Sequence, residues 1–152
     1  MSSPHERLAE LGLSVPEVVP PLAAYVPARR SGAYVYTSGQ LPLRDGALLA
    51  TGKVGAEVAA EQAAQCAQQA ALNAIAAVAS QVDLSDVVAV VKVVVYVASA
   101  PDFTGHPAVA NGASELLGKV FGDAGHHARS AVGVAALPLD APVEVEILVE
   151  VR

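Results

Sequence analysis

The chain has one cysteine, Cys66, among its 152 residues. That excludes an internal disulfide framework and a cysteine-rich zinc site, and it points to reducing cytoplasm. Charged residues are scarce, at 16% against 53% apolar, so the chain is not disordered. Basic residues are scarcer still. Nine Lys and Arg face fifteen Asp and Glu for a net charge of −6, and the only basic cluster is Arg29-Arg30. Proteins that bind phosphate backbones through counterion release need a basic surface, so nucleic acid and anionic membranes are not the expected partners. Mean hydropathy is +0.45, yet no run of roughly 18 apolar residues occurs that could span a bilayer. The most apolar stretch, Val87 to Ala100, is interrupted by Lys92 and Ser99. The start, MSSPHERLAELGL, lacks the apolar core of a secretory signal. No GxGxxG or GxxxxGK[ST] pattern is present, so dinucleotide and P-loop sites are not expected.

Length and the absence of linkers or repeats make residues 1–152 a single domain, with 1–19 as an N-terminal extension. Ser3-Pro4-His5-Glu6 reads as a capping box opening a short helix that stops at Gly12. The four prolines of SVPEVVPPLAAYVP forbid a helix and suit an extended edge segment. Residues 25–30 and 34–41 read as a hairpin about Ser31-Gly32, and 43–55 as a turn-rich loop. An alanine-rich helix is expected over 56–81. On it Ala59, Ala63, Cys66, Ala70, Ala74 and Ala77 form a small-residue stripe, and Glu57, Glu61, Gln65 and Gln68 a polar face. Residues 87–98, VVAVVKVVVYVA, form a strand apolar on both sides, which requires cover on both faces. Helices supply one cover and a partner subunit the other. A helix from His106-Pro107 to about Phe121, a strand over 128–135 and an alternating strand over 143–151 complete the order ββαβαββ. The fold class is α+β, a mixed sheet with two helices on one face.

Few side chains stand out chemically. His126-His127 are adjacent and lack a third ligand, so a metal site is not expected; a solvated loop is the plain reading. Cys66, inside the alanine stripe, reads as a buried and inert thiol. Arg129 opens an otherwise apolar strand and needs a partner there. Either it makes a structural salt bridge, with Glu144 as neighbour if 128–135 and 143–151 pair, or its fork holds a ligand carboxylate. Glu144, Glu146 and Glu150 form by default a solvated row, although a carboxylate beside an arginine-bound ligand can position water.

Arg129 to Pro138, RSAVGVAALP, followed by Val143-Glu144-Val145-Glu146, resembles the C-terminal signature of the RidA family, also called YjgF or endoribonuclease L-PSP. Tyr34 to Pro42, YVYTSGQLP, resembles its TSGQ(I/L)P strand. Ala71-Leu72-Asn73 and the segment from Asp86 through Asp102-Phe103 are similar to further family segments, so the likeness spans about residues 20–152. The extended N-terminus and NGASELLGKVFGDAG point to a divergent branch. The resemblance implies a chorismate-mutase-like fold and a homotrimer with sites between subunits. It implies hydrolytic deamination of 2-imino or enamine acids to 2-ketoacids and ammonia, without a cofactor. In that pattern Arg129 binds the substrate carboxylate and Glu144 orients water. Tyr25, Ser38, Gly39 and Asn111 complete the substrate pocket, Tyr25 coming from the neighbouring subunit. Ala131 stands where many members carry a cysteine, which removes thiol chemistry at that place. A non-catalytic carboxylate-binding or regulatory trimer is the alternative function, and the ribonuclease activity attached to some relatives is opposed by the acidic charge balance.

Overall fold

The computed structural model describes residues 2–152. Helix α1, Pro4–Glu10, is opened by the expected capping box. The Ser3 hydroxyl accepts the Glu6 N–H at 3.1 Å, and the Glu6 carboxylate accepts the Ser3 N–H at 2.8 Å. Residues 13–27 form no strand. Four prolines remove ladder donors there, so the segment lies along the domain as an irregular strap. The first hairpin therefore begins three residues later than expected. Strand β1 is Ala28–Ser31 and β2 is Tyr34–Thr37, in register Ala28 to Thr37 and Ser31 to Tyr34. The loop over 43–55 contains a small ribbon, β3 (Leu43–Arg44) with β4 (Ala47–Leu48), turned at Asp45-Gly46.

Helix α2 is Ala60–Ala79. It starts later than its alanines suggest because Val58 folds back on the preceding turn, accepting the Gly55 N–H at 2.9 Å. Ala59 is exposed ahead of the helix, while Ala63, Cys66, Ala70, Ala74 and Ala77 are fully buried. The narrow stripe widens along the helix: from Gln69 to Val78 every residue is buried. Glu57, Glu61, Gln65 and Gln68 are exposed, as the polar-face reading requires.

Strand β5 (Val87–Ala98), helix α3 (His106–Phe121), strand β6 (Ala128–Val134) and strand β7 (Val143–Val151) follow. The five-stranded sheet runs β1-β2-β7-β5-β6, with β6 parallel to β5 and the other pairs antiparallel. The expected pairing of β6 with β7 does not occur. The most apolar strand, β5, takes the place between them, and α3 returns the chain to lay β6 parallel on its far side, as a helical crossover does. Burial alternates along β5 only in its second half. Register shifts between Val87 and Ala89 and between Val90 and Lys92 turn Val90 inward and leave Val88 exposed.

Both long helices cover one face of the sheet, against Val93, Val95 and Val97 of β5 and the odd residues of β7, Val143 to Val151. On the opposite face stand Tyr34, Tyr36, Tyr96, Val94, Leu148 and Val132, with no element over them among the described residues.

The helices approach each other so closely that a Cβ on Gly112 would sit 1.9 Å from the Ala64 carbonyl oxygen. This gives NGASELL a packing role as well as a chemical one. Gly112→Ala must push the helices apart, so we expect a loss of about 2–3 kcal/mol, seen as a lowered urea midpoint with unchanged slope.

Candidate functional site

The polar groups collect at two places. The first surrounds Glu144, the second residue of β7. Val143 and Val145 are buried toward the helices, so Glu144 leaves the sheet on the opposite face. The TSGQLP segment after β2 is fixed beside it by reciprocal backbone bonds, Gln40 N–H to the Val145 carbonyl at 2.8 Å and Val145 N–H to the Gln40 carbonyl at 2.9 Å. From α2, the buried Asn73 amide donates to the Leu41 and Leu43 carbonyls at 3.0 and 2.9 Å, and Gln69 donates to the Asn73 side-chain oxygen. Gly39 leaves room for the carboxylate: a Cβ there would meet Glu144 Cδ at 2.6 Å.

Glu144 and Gly39 line a cavity walled by the strap residues Val19 to Leu22, with Tyr25, Leu41 and Leu43. The Tyr25 hydroxyl accepts the Leu22 N–H at 3.3 Å, which curls the strap over the opening. Ser38 does not line this cavity. Its hydroxyl donates to the Val26 carbonyl at 2.5 Å and its N–H to the Pro27 carbonyl at 2.8 Å, so it ties the strap to β2. Burial pushes the Glu144 carboxyl above the ordinary range, and the like charge of Glu146 adds to this. The Tyr96 hydroxyl donates to Glu146 at 2.8 Å; that bond is the chief reason the phenol is held above its usual value.

The second place is the outer edge of the sheet. Arg129 leaves β6 toward α3. Its Nη1 donates to Asn111 Oδ1 at 2.8 Å and to Ser114 Oγ at 3.2 Å. Among the described residues it has no acidic partner, the ion pairs being Lys53–Asp140 at 2.9 Å and Arg152–Asp86 at 3.8 Å. The structural salt bridge, with Glu144 as its neighbour, is therefore corrected: β5 separates the two strands. Ser114 was not singled out from sequence. Its position three residues after Asn111, on the same helix face, is the signal that could have found it. Ser114, Gly125, His126, His127 and Arg129 line one hollow. Burial, opposed by a backbone bond and reinforced by nearby Arg129, pushes His127 below its ordinary value. No group of three or more metal-ligating side chains occurs among the described residues.

A Ser–His pair also escaped the sequence reading. Ser99 Oγ lies 3.1 Å from His106 Nε2, and the Phe103 ring stands edge-on to the imidazole with centroids 5.3 Å apart. Cys66 is enclosed in the core, and burial raises its thiol pKa.

Each chain thus carries two half-sites. Glu144, Gly39 and Tyr25 line one cavity, and Arg129 and Ser114 line another, with Asn111 bonded to the Arg129 guanidinium.

Comparison with known proteins places this arrangement. Residues 16–151 match the family model described as endoribonuclease L-PSP. Protein TCP17 of Trypanosoma cruzi is 42% identical over 148 residues, covering 96% of this chain and 92% of that protein. A crystal structure of a putative endoribonuclease from Shewanella oneidensis superposes with a TM-score of 0.95 at 32% identity, covering 99% of this chain and all of the other. Escherichia coli TdcF, solved with bound serine, superposes with a TM-score of 0.61 at 25% identity, covering 91% and 93% of the two chains.

The titration of Glu144 can be read directly. Replacing Glu146 by Gln removes the neighbouring negative charge and keeps an acceptor for Tyr96. The Glu144 pKa, followed by carboxyl-carbon NMR, should fall toward the ordinary range while staying above it, because the larger cause, burial, remains.

Proposed function

This chain belongs to the RidA family (YjgF, endoribonuclease L-PSP), and we propose that it hydrolyses 2-imino acids, or their enamine tautomers, to 2-ketoacids and ammonia. The observation that carries the reading is Arg129. A half-buried guanidinium is held by two neutral oxygens, with no carboxylate beside it. Such a group has N–H donors and a full charge left for a planar anion. The serine named in the TdcF structure is an α-carboxylate of the kind this fork accepts.

An imino carbon is already electrophilic, so the protein has to hold the substrate and supply water in the right place. Arg129 fixes the carboxylate. Glu144, whose burial raises its pKa and so its basicity, takes a proton as water adds to the C=N carbon. The adduct carries hydroxyl and amine on one carbon. Protonation of the amine and loss of the hydroxyl proton then expel ammonia and leave the keto group. Water and substrate account for every atom of the products, and no further reactant is required.

The two half-sites of one chain do not meet, so the reading requires them to be joined across copies. A homotrimer does this with a repeated interface, the Arg129 edge of one copy closing on the Glu144 cavity of the next. The apolar sheet face carrying Tyr36, Tyr96 and Leu148 gives such an assembly its cover. Ribonuclease action is disfavoured by the net charge of −6, which supplies no basic surface for a phosphate backbone.

Arg129→Ala should lower kcat/KM on freshly generated iminopropanoate or iminobutanoate by about a hundredfold or more, the loss of a bidentate clamp and of orientation together. Glu144→Gln should lose turnover while still binding a small carboxylate, seen as a rise in melting temperature with ligand. Wild-type rates in Arg129→Ala contradict the assignment. Binding without any wild-type turnover supports the non-catalytic carboxylate binder instead.

A further inference from the structure

The hollow beside Arg129 is the roomier of the two spaces. It measures about 320 Å³ and is lined by Ser114, Gly125, His126, His127 and Arg129, a volume on the scale of a small-ligand pocket. Most of its fixed polar groups are donors. Arg129 uses Nη1 on Asn111 and Ser114. Its Nε and Nη2 have no partner among the described residues, and that edge is the fork a carboxylate takes with two parallel bonds. The Ser114 hydroxyl accepts from Arg129, which leaves its own proton to donate.

His127 supplies what those groups lack. Its Nδ1 lies 3.0 Å from the Ala128 carbonyl oxygen. A carbonyl only accepts, so Nδ1 carries the proton and Nε2 keeps a lone pair. Burial pushes the ring below its ordinary pKa, which favours this uncharged form. No side-chain nitrogen or oxygen among the described residues is both sealed from solvent and unpartnered, so the unbonded Nε2 is open rather than enclosed. The hollow therefore holds a carboxylate fork and, two residues ahead of it in the chain, an oriented acceptor.

A 2-imino acid carries its nitrogen on the carbon next to its carboxylate. With the carboxylate in the Arg129 fork, that nitrogen falls within the same hollow. We propose that His127 is a substrate-binding residue whose Nε2 accepts an N–H of the imino nitrogen. This rests on the imino-acid reading above. Held at both ends, the plane of the C=N group cannot turn, and one face of its carbon is offered to the water at Glu144. The same contact separates substrate from product. A 2-ketoacid presents only lone pairs where the substrate has an N–H, and two acceptors facing each other form no bond. His127 favours the imino acid, while Arg129 holds the carboxylate of both.

The test measures two quantities: kcat/KM for ammonia release from freshly generated iminobutanoate, and affinity for 2-oxobutanoate by calorimetry. His127→Phe keeps an aromatic ring but has no acceptor. It should lower kcat/KM about tenfold, the loss of one hydrogen bond, and leave 2-oxobutanoate affinity within about twofold of wild type. His127→Gln, whose side-chain oxygen can accept, should recover part of the loss. An unchanged kcat/KM in His127→Phe overturns the proposal. So does an equal loss of both quantities, because His127 would then only shape the hollow. The wild-type protein gives a check that needs no variant. At about pH 8, nitrogen NMR of the ring should show the Nδ1–H tautomer; an Nε2–H tautomer overturns the proposal, since two donors would face each other. Any of these failures with wild-type turnover intact leaves the deaminase reading standing. No turnover of iminobutanoate by the wild type overturns both.

Discussion

Arg129 brings a full positive charge to a half-buried place where the described residues offer it no anion. Burying an ionised group is costly unless it is paired. Here the partial compensation is two hydrogen bonds to neutral oxygens, those of Asn111 and Ser114. They fix the guanidinium in direction and leave its charge uncancelled. The rest of the molecule must keep that geometry. Helix α3 has to present residues 111 and 114 to the edge strand, which requires its close approach to α2 at Gly112. Strand β6 has to lie parallel beside β5, so that 129 and 131 point toward the helices while 128 and 130 point away.

The acidic half-site is built by a different route to a complementary end. A glutamate on the outer face of an antiparallel strand would ordinarily be solvated and fully ionised. Glu144 is instead enclosed by Gly39 and the proline-rich strap, with Glu146 next along the same face. Enclosure depends on a buried polar chain, Gln69 to Asn73 to the Leu41 and Leu43 carbonyls, in the middle of an otherwise alanine-lined helix. The site's electrostatics therefore depend on a hydrogen bond made within the core.

Much of this was legible from residue order. The capping box at Ser3, the proline after His106 with Gly122 at the far end, and the valine-rich run of β5 each carry a local physical signal, and α1, α3 and β5 appear where those signals put them. The signature around Arg129 and TSGQLP gave the family. The failures are those of local reasoning about non-local choices. Neighbouring strands pair more often than not, but β5 outcompetes β6 for β7 because it is apolar on both sides. Alanine propensity pointed to an early start for α2, and the backbone contacts of Val58 overrode it. Ser38 belongs to the right segment but turns its hydroxyl to the strap, a direction that only the path of residues 26–27 determines. Ser114 went unnoticed because a helical serine carries no signal until its neighbour across the gap is known.

The central claim is that one working site takes its arginine from one copy and its glutamate from another. Subunit mixing tests it most directly. Arg129→Ala and Glu144→Gln proteins, each inactive alone, would be unfolded together and refolded as mixed assemblies, and ammonia release from iminobutanoate measured. Random assortment in a repeated head-to-tail interface leaves about one site in four with both wild-type groups, so activity should return to roughly a quarter of the wild-type rate. Mixed assemblies as inactive as either parent would contradict the account, because the two groups would then have to act within a single chain.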